Sequence, residues 1–314
     1  MRLILFPSCP VYRRPLFTSF LLLLGLTLAT PLRSFAMNMP AEITFGFNPA
    51  ENAEVMETNG KIFSEYMAKK LNVKVKTFIA TDYVALIESM RPTKTKLGST
   101  SFGFLPPFSY IKAEGIAGAE VLLKAVRKGQ AVFYSAIITS KDKPYKSVQD
   151  LKGKTMAWVD VASSSGHIVP KASLMSELHI DPETFFSKQI FAGAHDSLVL
   201  AVVNGTVDAG ATFAHDPKGL GGSWTQFFKG PEQNKIKVLY VTPAIPGDTL
   251  ATTSKFSAMY PELVAKVRDI LAHMHEDKEG LKIMKELYHV DSFVPSKSSD
   301  FDSVRKAAKA VDAL

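Results

Sequence analysis

Three consecutive serines, Ser163, Ser164 and Ser165, precede Gly166 between two runs of different character. The run before them, Thr155-Met156-Ala157-Trp158-Val159, is β-prone, and residues 169–178 have helical spacing with Leu174 and Leu178 on one face. A strand feeding a helix through a Ser/Gly turn aims backbone N–H groups, hydroxyl donors and the positive end of the helix dipole at one point. Such a point can hold an anion without a positive side chain. One serine would serve as an ordinary N-cap; three before a glycine are more than a cap requires. Related chemistry recurs at Thr81-Asp82-Tyr83, Pro107-Phe108-Ser109 and Ala194-His195-Asp196. In open α/β sheets ligands bind outside the carboxyl ends of strands, where such turns converge. A histidine at a helix start, as His195 is, can donate to an anion from either nitrogen.

Two catalytic readings compete with an anion site. Ala162-x-Ser164-x-Gly166 is similar to the G-x-S-x-G nucleophile elbow with its first glycine replaced, and Asp208 and His215 follow in the order Ser, Asp, His. An exported serine hydrolase using Ser164 is therefore an alternative, and it requires Ser164 on a strained turn with a histidine in reach. His273 and His275 stand two residues apart, which does not place them on one helix face, so the pattern implies no metal site. Nor does the chain show a cofactor motif.

Strand and helix signals alternate through the chain, which implies an α/β fold with largely parallel sheets. Strands are expected at 43–47, 73–78, 101–105, 132–139, 155–159, 207–213 and 237–241. Helices are expected at 54–71, from the Thr81-Asp82 cap to Met90, after Pro106-Pro107, at 169–178, 196–203, 261–276 and 280–287. Two lobes fit this order, with chain crossings near 137–140 and 241–248. The first lobe is then 37–138 with 248–314, the second 139–247.

The N-terminal segment has the form of a secretory signal peptide. Arg13 and Arg14 precede the apolar run Phe20-Leu21-Leu22-Leu23-Leu24-Gly25-Leu26, and Ser34-Phe35-Ala36 offers a small-x-small cleavage site. Residues 1–36 are expected to be removed, by way of either the general or the twin-arginine export route. The single cysteine, Cys9, lies in that segment, so the mature chain carries no disulfide and no thiolate nucleophile. Removing Arg2, Arg13, Arg14 and Arg33 from the formal +7 leaves +3 on the 278 residues that remain of 314. The apparent basicity belongs mostly to targeting and gives no sign of nucleic-acid binding.

The motifs as an ordered set resemble the phosphate/phosphite/phosphonate-binding proteins of ABC transporters. The resemblance is carried by Thr81-Asp82-Tyr83 with Glu88-Ser89-Met90-Arg91, by Gly103-Phe104-Leu105-Pro106-Pro107-Phe108-Ser109-Tyr110, and by Val159-Asp160-Val161-Ala162-Ser163-Ser164-Ser165-Gly166. Gly193-Ala194-His195-Asp196, Val207-Asp208-Ala209-Gly210-Ala211-Thr212 and Ile245-Pro246-Gly247-Asp248 complete it. It implies a type II periplasmic binding fold, two α/β lobes with a two-segment hinge closing on a ligand in the cleft between them. The protein is then the periplasmic, non-enzymatic, monomeric receptor of a membrane permease, and its ligand is a small phosphorus oxyanion. Another tetrahedral oxyanion, such as an arsenite-like or sulfur species, is the alternative within this class. The resemblance implies that Ser163, Ser164, Ser165 and His195 hold the oxygens and that Tyr83 donates from the other lobe. Asp248 would accept from a protonated ligand oxygen or an amino group, and Phe108 and His215 fall at ligand-side positions.

Two departures stand out. Where the family has a tyrosine two residues before a strand serine, this chain has Phe133, with Tyr134 beside it and Ser135 next. Either a hydroxyl is missing from the site or Tyr134 supplies it through a one-residue shift, which would reverse the face it points to. His215 stands where amine-gripping relatives carry a glutamate, which tilts the expected ligand toward phosphite, methylphosphonate or phosphate.

Overall fold

The computed structural model describes residue 10 and residues 39–314. The export segment and its cleavage site near Ala36 lie outside the described residues. The first sheet begins with β1 (Glu42–Phe47), α1 (Ala53–Leu71), β2 (Lys74–Ile79), α2 (Tyr83–Met90), β3 (Phe102–Leu105), α3 (Pro107–Ala117) and β4 (Ala119–Val126). The second contains β5 (Val132–Ser140), β6 (Thr155–Trp158), α4 (Val169–Ser176), α5 (Pro182–Phe185), β7 (Lys188–Phe191), α6 (His195–Val203), β8 (Ala209–Ala214), α7 (Ser223–Gln226), β9 (Ile236–Val241) and β10 (Ile245–Pro246). The chain then returns to the first sheet with β11 (Thr249–Thr253), α8 (Ser254–Met259), α9 (Pro261–His273), α10 (Lys278–Tyr288) and β12 (Ser292–Pro295). It closes with α11 (Asp302–Ala310).

Strand order is β12-β4-β11-β3-β1-β2 in the first sheet and β10-β5-β8-β6-β7 in the second, with β9 also paired to β5. In each sheet the parallel core, β2-β1-β3 and β7-β6-β8, is joined on one side by antiparallel strands. Parallel strands covered by helices place all their carboxyl ends on one edge. The cleft lies along those two edges.

Local chemistry fixes the helices that reach the cleft. Asn52 caps α1 by accepting the N–H groups of Glu54 and Val55, and Asp82 caps α2 by accepting Ala85 N–H at 2.7 Å. Tyr83, Leu86, Ile87 and Met90 then form the buried face of α2 at helical spacing. Pro107 opens α3, where a missing N–H costs nothing.

The crossovers are short and adjacent. Residues 127–131 join β4 to β5, and residues 247–248 join β10 to β11. Gly247 N–H donates to Ala131 C=O at 2.9 Å and Ala125 N–H to Asp248 C=O at 2.8 Å, so the two segments run side by side. The first crossing is therefore ahead of β5, not at 137–140 as the sequence suggests. Ile137 and Ile138 are strand interior, fully buried and paired to β8 and β9 on either side. The C-terminal return is also not confined to one lobe. Helix α11 packs on both α3 and α4, and Phe301, Val304 and Ala308 join a cluster drawn from both sheets.

Gly247 is sterically required. An added Cβ would sit 2.1 Å from the Ala125 carbonyl oxygen, a backbone atom that cannot swing away. Gly247→Ala should lower the unfolding free energy by about 1–3 kcal/mol. An unchanged urea midpoint would show that the crossovers can separate without cost.

Candidate functional site in the cleft

The serine turn is wider than an ordinary helix start. Residues Ser164–Ile168 form one turn of π-helix ahead of α4, with Ile168 N–H donating to Ser163 C=O at 3.1 Å and Val169 N–H to Ser164 C=O. Pro170 has no N–H to offer the Gly166 carbonyl. That carbonyl instead takes Val159 N–H at 3.0 Å, drawing the turn onto the end of β6. Only glycine fits there: a Cβ on Gly166 would lie 2.4 Å from Val159 Cβ. Ser163 Oγ caps the turn by accepting Gly166 N–H at 3.0 Å. The first N–H groups of a helix have no partner within it. Those of Ser164 and Ser165 find no acceptor among the described residues, and so remain for a ligand.

A cavity of about 70 Å³ lies beside this turn, lined from the first lobe by Asn48, Glu51 and Tyr83 and from the second by Ser163, Ser165 and His195. Both crossovers contribute as well, through Arg127 and Asp248. Pro106, Phe133, Phe213 and Phe227 form an apolar wall. Tyr83 is 1% exposed, and its hydroxyl has no hydrogen-bond partner among the described residues, although Asn48 and Ser163 are near. Burial pushes its phenol up, so it stays protonated and can donate.

His195 is the first residue of α6 and is also buried. Its Nδ1 lies 2.8 Å from Thr212 Oγ1, which lies 2.8 Å from Ser223 Oγ. Each hydroxyl has one proton. The direction of that chain sets the ring tautomer: with Thr212 donating to Ser223, Nδ1 carries the proton and Nε2 can accept a ligand P–OH; with the chain reversed, Nε2 carries the proton and can donate to an anion. Burial lowers the His195 pKa to about 3, so the ring is neutral. His215, on the cavity wall beyond Phe213, is lowered to about 4 by burial and by Lys128 and Arg127. Burial pushes the Asp248 carboxyl up against the pull of Arg127, whose Nη2 stands 2.9 Å from its Oδ2.

The residues singled out in the sequence separate into two groups. Tyr83, Ser163, Ser165, His195, His215 and Asp248 line the cavity; Ser164, Phe108 and Tyr134 do not. Ser164 Oγ accepts Phe108 N–H at 2.9 Å, and Ser109 Oγ donates to Ala162 C=O at 2.9 Å, so α3 and the serine turn bind each other directly. His195 N–H adds a third bridge, to Ala50 C=O at 3.3 Å. Phe108 itself packs in the apolar cluster shared by the sheets. On β5 the cavity face is Phe133 and Ser135, whose Oγ donates to Ser165 C=O at 2.5 Å. Tyr134 alternates to the other face, so the hydroxyl in question is absent from the site.

The hydrolase arrangement is not assembled. Asp208 and His215 flank opposite ends of β8, about 23 Å apart at strand rise. Asp208 is engaged by Thr155 and Tyr145 at the far end. Among the described residues no group of three or more His, Cys, Asp or Glu side chains is placed to hold a metal, and no helix is long and apolar enough to cross a membrane.

The sequence reading did not include Asn48, Arg127, Tyr288 or His289. Asn48 directly follows β1, where the rule that ligands sit at strand carboxyl ends would have found it. Its Oδ1 accepts the Tyr288 hydroxyl. Arg127, Tyr288 and His289 carried no local signal, because the return of the C-terminal strands brings them together.

Two lobes of this topology, joined by paired crossovers and meeting at a cavity on their strand ends, define a type II periplasmic binding protein. The chain belongs to the family described as ABC transporter, phosphonate, periplasmic substrate-binding protein, whose model matches residues 45–301. A phosphate-import protein PhnD from Mycolicibacterium smegmatis is 30% identical over 77% of this chain and 74% of its own. The phosphonates-binding periplasmic protein of Escherichia coli is 28% identical over 83% and 74%. The structure of PhnD1 from Prochlorococcus marinus in complex with methylphosphonate shares the fold. It superposes with a TM-score of 0.75 at 18% identity, over 88% of this chain and 100% of that one.

The neutral histidine has a consequence for stability. The unfolded chain protonates His195 near pH 6.5, the folded protein only near pH 3, so the unfolded state binds more protons across that window. Stability should fall as pH drops through it, by on the order of a few kcal/mol from this residue. His195→Gln should flatten that part of a denaturation-versus-pH curve; an identical slope in the variant would contradict a buried neutral ring.

Proposed function

We propose that this protein is the exported receptor of an ABC transporter that binds one small phosphorus oxyanion in the cleft and delivers it to the membrane permease. The observation that carries this reading is the convergence of neutral donors on one cavity from both lobes. These are the Ser165 N–H group, the Ser163 and Ser165 hydroxyls and His195 on one side, with the Tyr83 hydroxyl, unpartnered among the described residues, opposite. A buried oxyanion needs its lone pairs met, and neutral dipoles can meet them. Asp248 is the acceptor for a ligand P–OH.

Size and wall chemistry narrow the ligand. A volume of about 70 Å³ has room for a small tetrahedral ion. A fourth oxygen would face Phe133 or Phe213 without a donor, so hydrogen or methyl in its place is favoured. The lobes, 39–126 with 248–314 and 132–246, rotate about the crossovers to admit the ligand, and closure forms the surface the permease reads. Residues 1–36 direct export to the periplasm and are removed there, and the receptor acts as a monomer.

Calorimetric titration of the mature chain with methylphosphonate, phosphite, phosphate and sulfate tests this. At least one phosphorus species should bind with micromolar affinity or better. Ser165→Ala and Tyr83→Phe should each weaken it about tenfold to a hundredfold, the worth of a hydrogen bond to a charged group. Affinity unchanged by both substitutions would place the ligand elsewhere.

A further inference from the structure

One ion pair pins the two crossovers at the cavity wall. Arg127 ends the first lobe's outgoing chain and Asp248 begins its return; their side chains are only 17% and 16% exposed. Arg127 is anchored on more than one side. Its Nη2 also donates to Tyr288 C=O at 3.1 Å, and the guanidinium lies 5.6 Å from the Tyr288 ring centre. The guanidinium engages Asp248 Oδ2, while Oδ1 has no protein donor among the described residues. The carboxylate thus remains an acceptor on the cavity wall with its charge compensated.

We propose that Arg127 is a specificity-determining residue: by cancelling the charge of Asp248 it lets the site take the fully ionised oxyanion as well as its singly protonated form. This inference rests on the phosphorus-oxyanion reading above. A monoanion places its P–OH against Asp248 Oδ1. A dianion has no such proton, and its oxygen would meet the carboxylate as a second anion in a poorly solvated site. With the guanidinium fixed beside that carboxylate, the complex needs no proton, and binding loses most of its dependence on pH. The other titratable groups around the pair do not substitute for it. His195 and His215 are held neutral by burial, and the Tyr83 and Tyr288 phenols are pushed up and stay protonated. Lys128 and Lys285 line an adjoining pocket, where Asp291 accepts the Lys128 backbone N–H and stands 3.7 Å from Lys285 Nζ. Glu51 and His289 face each other at 3.4 Å.

The test is calorimetric titration with methylphosphonate from about pH 5.5 to about pH 9, spanning the ligand's second ionisation. The unsubstituted protein should change affinity by less than about threefold across that range. Arg127→Gln should lose about tenfold per pH unit above the ionisation, because its complex must hold a proton. Arg127→Lys should restore the shallow profile. If Arg127→Gln does not fold, Asp248→Asn tests the same idea from the other side: an uncompensated Arg127 should make affinity rise as the dianion forms. Parallel profiles for the unsubstituted protein and Arg127→Gln would overturn the proposal, as would an Asp248→Asn profile that does not rise. No heat from the unsubstituted protein with methylphosphonate, phosphite or phosphate at any pH would instead overturn the phosphorus-oxyanion reading beneath it.

Discussion

A desolvated oxyanion can stay in a protein only if every lone pair it loses to water is met by a donor already aimed at it. In the site proposed for this chain that requirement falls on element ends, not on side-chain charge. The serine turn contributes N–H groups because it opens as a π turn ahead of α4, and it does so because Pro170 and Gly166 remove the constraints of an ordinary α start. Opposite it, the Tyr83 hydroxyl is buried at the start of α2 with no other partner. The bonds that hold the lobes together, from Phe108 N–H, Ser109 Oγ and His195 N–H, are made by the segments that line or adjoin the cavity. Apposing the lobes and building the site are therefore one event.

The rest of the cavity follows from keeping charge balanced. His195 and His215 are neutral, the Arg127 guanidinium is matched by the Asp248 carboxylate, and the Glu51 carboxylate faces His289. The donors of the serine turn and the Phe133, Phe213 and Phe227 wall line the same cavity, which is the basis for proposing a small ion with one apolar corner.

The sequence showed clearly what local physics controls. The cap at Asp82, the Pro106-Pro107 helix start and the serine turn lie where spacing and turn chemistry put them. Strands β4, β11 and β12 carried no usable signal. Ala119-Glu120-Val121-Leu122-Leu123-Lys124-Ala125-Val126 has a helix-forming composition and becomes a strand only because β11 and β12 pair with it on both sides. The Thr-rich β11 is buried throughout and shows no alternation. Because those strands went unread, so did the true place of the first crossover and the meeting of Arg127 with Asp248. The roles of Ser164 and Phe108 differ from those the family resemblance implied for a similar reason. Their backbone positions were legible, but whether a hydroxyl faces ligand or the opposite lobe depends on lobe packing.

The most direct test of this account is a crystal structure of the mature chain grown with methylphosphonate. It should place the phosphorus in the cavity, its oxygens within hydrogen-bonding distance of the Ser164 and Ser165 N–H groups and the Tyr83 hydroxyl, and its methyl group against Phe133 or Phe213. Methylphosphonate bound outside that cavity, or within it but contacted by one lobe alone, would contradict the claim that the two lobes build the oxyanion site together.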